Sequence, residues 1–250
     1  MNQTSPKTVA VLAAMQEELD AILALFENCR ETSLCGMKIY IAEPNNNRLI
    51  FALSGVGRAN TSINSALIAK EYKPDIMLNV GTAGGLQKEQ KILDLVIPGE
   101  IVAVDVDLTA LGFEYGQVMG EPASYFTDKE LQAKLLEISR AFVTTHQGTV
   151  GSSEAFICKP EQVAEIRRRF GENRVACVEM EAFSIAVTCS RFNIPFAIIR
   201  SLSDVPAHGK GNELAFNEFL KAASGNAAKI LRAFASFSTL SPCPLSPSPT

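Results

Sequence analysis

The order of apolar segments predicts an α/β fold: a single domain on a central, mixed but mostly parallel β-sheet flanked by helices. Two observations carry this expectation. Strand-like runs alternate with helical patterns of ten or more residues along most of the 250-residue chain. The run Ile194-Pro195-Phe196-Ala197-Ile198-Ile199 is apolar throughout, as a parallel strand covered on both faces requires.

Residues 8–14 read as a buried first strand. Leu19, Ile22, Leu23 and Phe26 then recur at helical spacing, which predicts a helix over 16–29. Residues 37–42 and 48–53 are β-like, with Pro44-Asn45-Asn46-Asn47 as turn chemistry between them, so a hairpin is expected. Ser54-Gly55-Val56-Gly57-Arg58 leads into a helix over 60–71. Residues 75–80 form the next apolar strand, ending in a turn, Gly81-Thr82-Ala83-Gly84-Gly85. Residues 95–104 are β-rich, and 127–143 are amphipathic with Leu131, Leu135, Ile138 and Phe142 on one face. A short strand near 148–152 and a helix over 160–170 precede the apolar stretch 175–205. A long helix over 216–237 closes the domain, with Phe219, Ala223, Ala227, Ile230 and Phe234 on its apolar side. The domain spans 1–238. The Ser/Pro-rich end, 239–250, cannot continue a helix and is expected to be disordered.

Hydrophobic content of 47% and charged content of 20% suit a soluble globular protein, and 250 residues suffice for one large core. A formal net charge of -4 provides no basic field, so neither nucleic acid nor an anionic membrane is an expected partner. The six cysteines show no CxxC pair, and there are only two histidines, so no metal site is expected. Reduced thiols in a cytoplasmic protein fit this usage. The early apolar run, seven residues from Val9 to Met15, is followed at once by Gln16-Glu17-Glu18, which is unlike a signal peptide. No run reaches transmembrane length.

Chemistry concentrates in Val175 to Val205, where Glu179, Glu181, Arg200 and Asp204 are set into apolar segments. Charged residues are almost never fully buried unless paired or used. Taken singly, the two glutamates could be solvated acids at a helix start, and Arg200 with Asp204 a loop ion pair. Together they argue otherwise, because Arg200, Ser203 and Asp204 follow an apolar strand directly. They then sit at its carboxyl end, where open α/β sheets place ligands. Ala14-Met15-Gln16-Glu17-Glu18 follows the first strand in the same way, with Glu17 read as a helix-start acid. Gly55-Val56-Gly57 and Gly81-Thr82-Ala83-Gly84-Gly85 are glycine-bearing turns after strands. The first has Asn60 where a dinucleotide fingerprint needs glycine, and lacks the Gly-Lys-Ser/Thr of a P-loop. Neither turn names a ligand; each could be a plain tight turn.

Seven segments together carry a resemblance: Ala14-Met15-Gln16-Glu17-Glu18, Ser54-Gly55-Val56-Gly57, Asn79 to Gly85, Phe113-Glu114-Tyr115-Gly116-Gln117, Ala155-Phe156-Ile157, Val178-Glu179-Met180-Glu181-Ala182 and Arg200-Ser201-Leu202-Ser203-Asp204. In order and spacing, from about Thr8 to about Phe234, the chain resembles the 5′-methylthioadenosine/S-adenosylhomocysteine nucleosidases of the purine nucleoside phosphorylase superfamily. The resemblance implies a nucleoside phosphorylase-like fold and hydrolysis of an N-ribosidic bond, with no cofactor. By position it implies Asp204 as the acid at the purine, Glu18 as the base activating water, and Thr82 with Arg200 placing Glu18. Glu181 matches the ribose ligand with Glu179 as a secondary contact, and Met180 matches the ribose floor. Phe156 and Ile157 match the purine pocket, and Phe216 the contact to the 5′-substituent. Met15, Ala83, Gly84 and Ser203 complete the implied substrate-binding set. A loop over 111–122 resembles one lent to a neighbour's pocket, which implies a homodimer.

The implied chemistry suits the residue types. Adenine leaves poorly as an anion, so a carboxylic acid near N7 lets it depart neutral. Such an acid needs a raised pKa, and a carboxylate beside the ribose favours the cation-like transition state. The chain departs from the family's pattern at Thr82 (often Ser, so the hydroxyl survives), at Val104 (His in several relatives) and over 205–214, where His208 is most simply a solvated loop residue. A phosphorolytic enzyme, a futalosine-type nucleosidase and a non-catalytic nucleoside-binding protein are the competing readings. Arg58 in the first glycine turn keeps phosphorolysis open. Truncation after Ser238 is expected to leave turnover unchanged, as checked by steady-state kinetics on the shortened chain.

Overall fold

The computed structural model describes residues 7–208 and 212–236. Its strands are β1 (Thr8–Ala13), β2 (Arg30–Leu34), β3 (Met37–Ala42), β4 (Arg48–Leu53), β5 (Ile76–Gly85), β6 (Leu95–Val96), β7 (Glu100–Ala103), β8 (Tyr125–Phe126), β9 (Thr145–His146), β10 (Thr149–Ser152), β11 (Val175–Glu179) and β12 (Phe196–Asp204). The helices are α1 (Gln16–Leu23), α2 (Arg58–Tyr72), α3 (Lys129–Arg140), α4 (Pro160–Phe170), α5 (Ala182–Phe192) and α6 (Asn212–Ser236). One mixed sheet runs β2-β3-β4-β1-β5-β11-β10-β7-β8, and it branches at β5, which also pairs with β12 and through it with β6 and β9. The β1, β4, β5 and β12 ladders are parallel, and β11 meets the end of β5 antiparallel.

Helices cover both faces. Leu19, Leu135, Ile230 and Phe234, from α1, α3 and α6, share one core with Val11, Leu78 and Ile199. Ile68, Phe183 and Ile185, from α2 and α5, share the opposite core with Leu12, Met77 and Ile198. Alternate residues of β1, β5 and β12 therefore feed opposite cores, so the first halves of these strands are largely apolar on both faces. Helix α4 packs Val163 and Ile166 on Val102, Val175 and Val178.

Several local expectations change. The segment Gly81–Gly85 is strand, not turn: it continues β5, pairing with β12 from Gly81 to Gly84 and with β11 at Gly84 and Gly85. Its glycines answer to close packing. A Cβ at Gly81 would lie 2.7 Å from Glu18 Oε1, and one at Gly85 would lie 2.9 Å from Leu202 Cδ1. Likewise β12 runs to Asp204, so Arg200, Ser203 and Asp204 are strand residues. Helix α1 ends at Leu23, before the expected Cys29. The polar strand β2 then follows, joined to β3 by Cys35 and Gly36 at φ of 50° and 83°, the positive values a tight two-residue hairpin uses. Strands β6 and β7 are separate, interrupted at Pro98-Gly99. Helix α3 starts at Asp128, whose carboxylate accepts from the Glu130 and Leu131 amides, and it ends before Phe142, which is exposed rather than on the buried face. Phe237 and the tail 239–250 lie outside the described residues.

Candidate active site

The carboxyl ends of β1, β5, β11 and β12 meet at one edge of the sheet. There they enclose a cavity of about 420 Å³, within the range of small-molecule sites. Each strand end delivers one part of its wall.

Glu18 sits in the first turn of α1 and is 3% exposed. Its Oε2 accepts from the amides of Ala14 (3.0 Å) and Met15 (3.2 Å), and its Oε1 from the Thr82 amide (2.8 Å) and hydroxyl (3.0 Å). The β1–α1 turn and β5 thus hold this carboxyl from two sides. Burial raises its pKa, opposed by the charge of Arg200 and the donors of Thr82 and Met15.

Glu179 and Glu181 straddle the junction of β11 and α5, and both are buried. Glu179 accepts from the amides of Glu181 (3.1 Å) and Ala182 (2.9 Å), so it caps the first turn of α5. Glu181 Oε1 accepts from the Gly57 amide at 3.0 Å. Gly57 has φ of 83°, and a Cβ there would meet Glu154 Oε1 at 2.6 Å, so glycine is what lets the first turn bring this amide to Glu181. Burial, then the adjacent charge of Glu179, raises the Glu181 pKa.

Arg200 is 1% exposed and lies beneath the cavity rather than on its wall. Its Nη2 donates to Glu179 Oε2 at 2.5 Å and to Asn79 Oδ1, and its Nη1 to the Ile199 carbonyl at 3.3 Å. The expectation that Arg200 places Glu18 is therefore corrected: its direct partner is Glu179, and Glu18 feels only its charge. The reason is register, since Arg200 faces Gly81 on β5 and the ion pair to β11 is the shorter reach.

Asp204 ends β12. Its Oδ1 accepts from Ser203 Oγ at 2.9 Å, while Oδ2 has no partner among the described residues. Burial pushes its pKa up to about 6, with the Ser203 hydroxyl opposing. Phe156 and Phe216 stand at the mouth with ring centroids 5.5 Å apart, edge to face. Met15, Thr82, Ala83, Gly84, Ile157, Met180 and Ser203 also line the cavity. Glu213 and Asn217 do so as well and were missed; their spacing to Phe216 along α6, three back and one on, puts them on or beside its face. The apolar liners Val56, Ala155 and Val178 give no signal in sequence. Arg58 is engaged: its Nη2 donates to Asp105 Oδ1 (2.5 Å) and to the Ser152 carbonyl (2.8 Å). His208 Nε2 lies 3.0 Å from the Lys88 carbonyl, and His208 is absent from the cavity wall. Among the described residues no group of three His, Cys, Asp or Glu side chains could hold a metal ion.

Residues 8–236 match the model of the phosphorylase superfamily. A curated 5′-methylthioadenosine/S-adenosylhomocysteine nucleosidase from Exiguobacterium sp. is 37% identical over 90% of this chain and 96% of its own. The chain belongs to this nucleosidase family. The Neisseria meningitidis family member, solved in complex with methylthio-immucillin-A, superposes with a TM-score of 0.85 at 39% identity, covering 90% of this chain and 97% of that one. Futalosine hydrolase of Helicobacter pylori gives the same TM-score, 0.85, at 27% identity over 91% of this chain and 96% of that one.

In this nucleosidase-family cavity the raised Asp204 pKa has a stability consequence. The folded state holds the proton more tightly than the unfolded chain, so the carboxyl costs stability as pH rises from its ordinary 3.8 through about 6. Asp204→Asn is expected to raise the stability of the ligand-free protein above pH 7 by on the order of 2 kcal/mol, with the gain fading towards pH 4, as read by denaturant unfolding across that range.

Proposed function

We propose that this chain hydrolyses the N-ribosidic bond of 5′-methylthioadenosine and S-adenosylhomocysteine, releasing adenine and a 5-thio-substituted ribose. One observation carries the reading: a single cavity holds two buried carboxyls in different surroundings, Glu18 ringed by donors and Asp204 with one oxygen unpartnered among the described residues. Four donors converge on Glu18, and a carboxyl that accepts so many suits the ionised form, a base able to take a proton from water. Asp204 lines the cavity with one oxygen unpartnered among the described residues and its pKa raised to about 6, and so can carry a proton to the purine N7. Glu181, held by Gly57, accepts from the ribose hydroxyls and favours the developing cation. Met180 forms the floor under the sugar, Phe156 and Ile157 hold the base, and Phe216 covers the 5′-substituent. Glu179, its oxygens largely used by α5 and Arg200, contributes to the ribose side chiefly by fixing Glu181.

Hydrolysis is favoured over phosphorolysis because the cation of the first glycine turn, Arg58, is committed to Asp105 and Ser152. A futalosine-type substrate is the second reading, favoured by the likeness to the Helicobacter pylori hydrolase, and is distinguished by its 5′-substituent. The active form is a homodimer in which the loop over 111–122 reaches the neighbour's pocket. Leu111, Met119, Ile63 and Phe126 are 63%, 59%, 62% and 66% exposed, large apolar side chains that burial by a second copy would cover. The enzyme works in the cytoplasm, consistent with five cysteines outside any disulfide among the described residues.

Adenine release from methylthioadenosine without phosphate tests the reading, and a requirement for phosphate would overturn it. Paired kinetics on S-adenosylhomocysteine and futalosine rank the 5′-substituents. Glu18→Gln and Asp204→Asn are each expected to lower kcat by at least about 100-fold. Since Asp204 must hold its proton, kcat/KM should fall as pH rises above about 6.

A further inference from the structure

Asp204 reaches the cavity because β12 slips register just before it. Leu202 pairs with Ala83 and Asp204 with Gly84, so Ser203 is an extra residue, a β-bulge. In a regular strand Leu202 and Asp204 would share a face. With the bulge, Leu202 packs in the core, fully buried, while Asp204 lines the cavity. The aim of the acid therefore depends on what fixes Leu202.

Leu202 is clamped from the side opposite β5. Its amide donates to the Asp94 carbonyl at 2.8 Å, and its carbonyl accepts from the Leu93 amide at 2.8 Å. Leu93 holds φ of 73°, a conformation that costs a side chain other than glycine or asparagine on the order of 1 kcal/mol or more. Such strain persists only where neighbours over-determine it. Here the Asp94 carboxylate accepts from the Lys91 amide at 3.0 Å and from His146 Nε2 at 2.8 Å, and Asn226 Nδ2 donates to the Leu93 carbonyl at 3.3 Å. Asp94 and His146 are both largely buried, and neither lines the cavity.

We propose that the Asp94–His146 hydrogen bond is a positioning device: it holds Leu93 in its strained conformation, and Leu93–Asp94 in turn locks the Leu202 bulge that aims Asp204. Asp94 and His146 touch no reacting atom; they act through β12. The inference rests on the reading of Asp204 as the acid.

The test removes the bond and then removes the need for it. His146→Ala, and His146→Phe to keep the ring volume, should each lower kcat at least tenfold while KM moves by less than about threefold. His146→Gln, which keeps a donor near Nε2, should retain most of the turnover. Leu93→Gly, which frees that φ of strain, should restore kcat when added to either damaging variant. A second reading needs no turnover: melting temperatures with and without Asp204→Asn, compared across pH 4–9, report where Asp204 titrates in the ligand-free protein. That midpoint should move in His146→Ala and His146→Phe and return with Leu93→Gly. A lower melting temperature with kcat and midpoint both unchanged would reduce the pair to a fold stabiliser. Double variants that are unfolded or inactive would overturn the proposal too, even where the single variants do not fold. If the unaltered chain releases no adenine, the catalytic reading fails, and the midpoint still decides the clamp.

Discussion

One buried guanidinium sets the electrostatic frame of this molecule. Arg200 acts on three carboxyls, Glu179, Glu181 and Glu18, and bonds directly to only the first of them. Removing one partner of a buried pair typically costs about 3–5 kcal/mol, because the other charge is left uncompensated. Here it would also free the Glu179 side chain, which orders the first turn of α5 and with it Glu181. The arginine thus holds the β11–α5 side of the cavity together from below, while its charge eases the burial of Glu18 without touching it.

The same economy shapes β5. A strand interior is usually a poor place for glycine, yet β5 ends in three glycines within five residues. Each missing side chain leaves room for a neighbour: the Glu18 carboxyl over Gly81, Asp204 and Pro206 over Gly84, Leu202 over Gly85. The bare backbone lets one acid from α1 and one from β12 pack directly against it. Function at this edge comes from closeness of backbone, and the side chains arrive from elsewhere.

The alternation of apolar runs and helical spacing exposed the α/β class, because β1, β5 and β12 are buried on both faces and open on apolar runs. The charges embedded in Val175 to Val205 marked the site for the same reason: burial makes a carboxylate conspicuous. What escaped has a physical cause in each case. Arg30–Leu34 is a polar edge strand with one partner, so it lacks the period that burial imposes. Gly81–Gly85 has turn composition but strand geometry, since its small residues answer to packing across the sheet and not to chain reversal. The partner of Arg200 depends on register between β11, β5 and β12, which no local pattern encodes. Glu213 and Asn217 belong to a helix whose start was placed too late to include the first of them.

The upward shift of the cavity acids has a thermodynamic reach beyond catalysis. Burial raises the Asp204 pKa to about 6, so at neutral pH this carboxyl in the resting cavity is mostly without its proton. A ligand that accepts a hydrogen bond from this carboxyl must draw that proton in from the buffer as it binds. Affinity then carries a pH slope, and the heat of binding carries the buffer's own ionisation enthalpy. Association at this site is an exchange of three parties, protein, ligand and hydrogen ion, and the surrounding solution sets part of its strength.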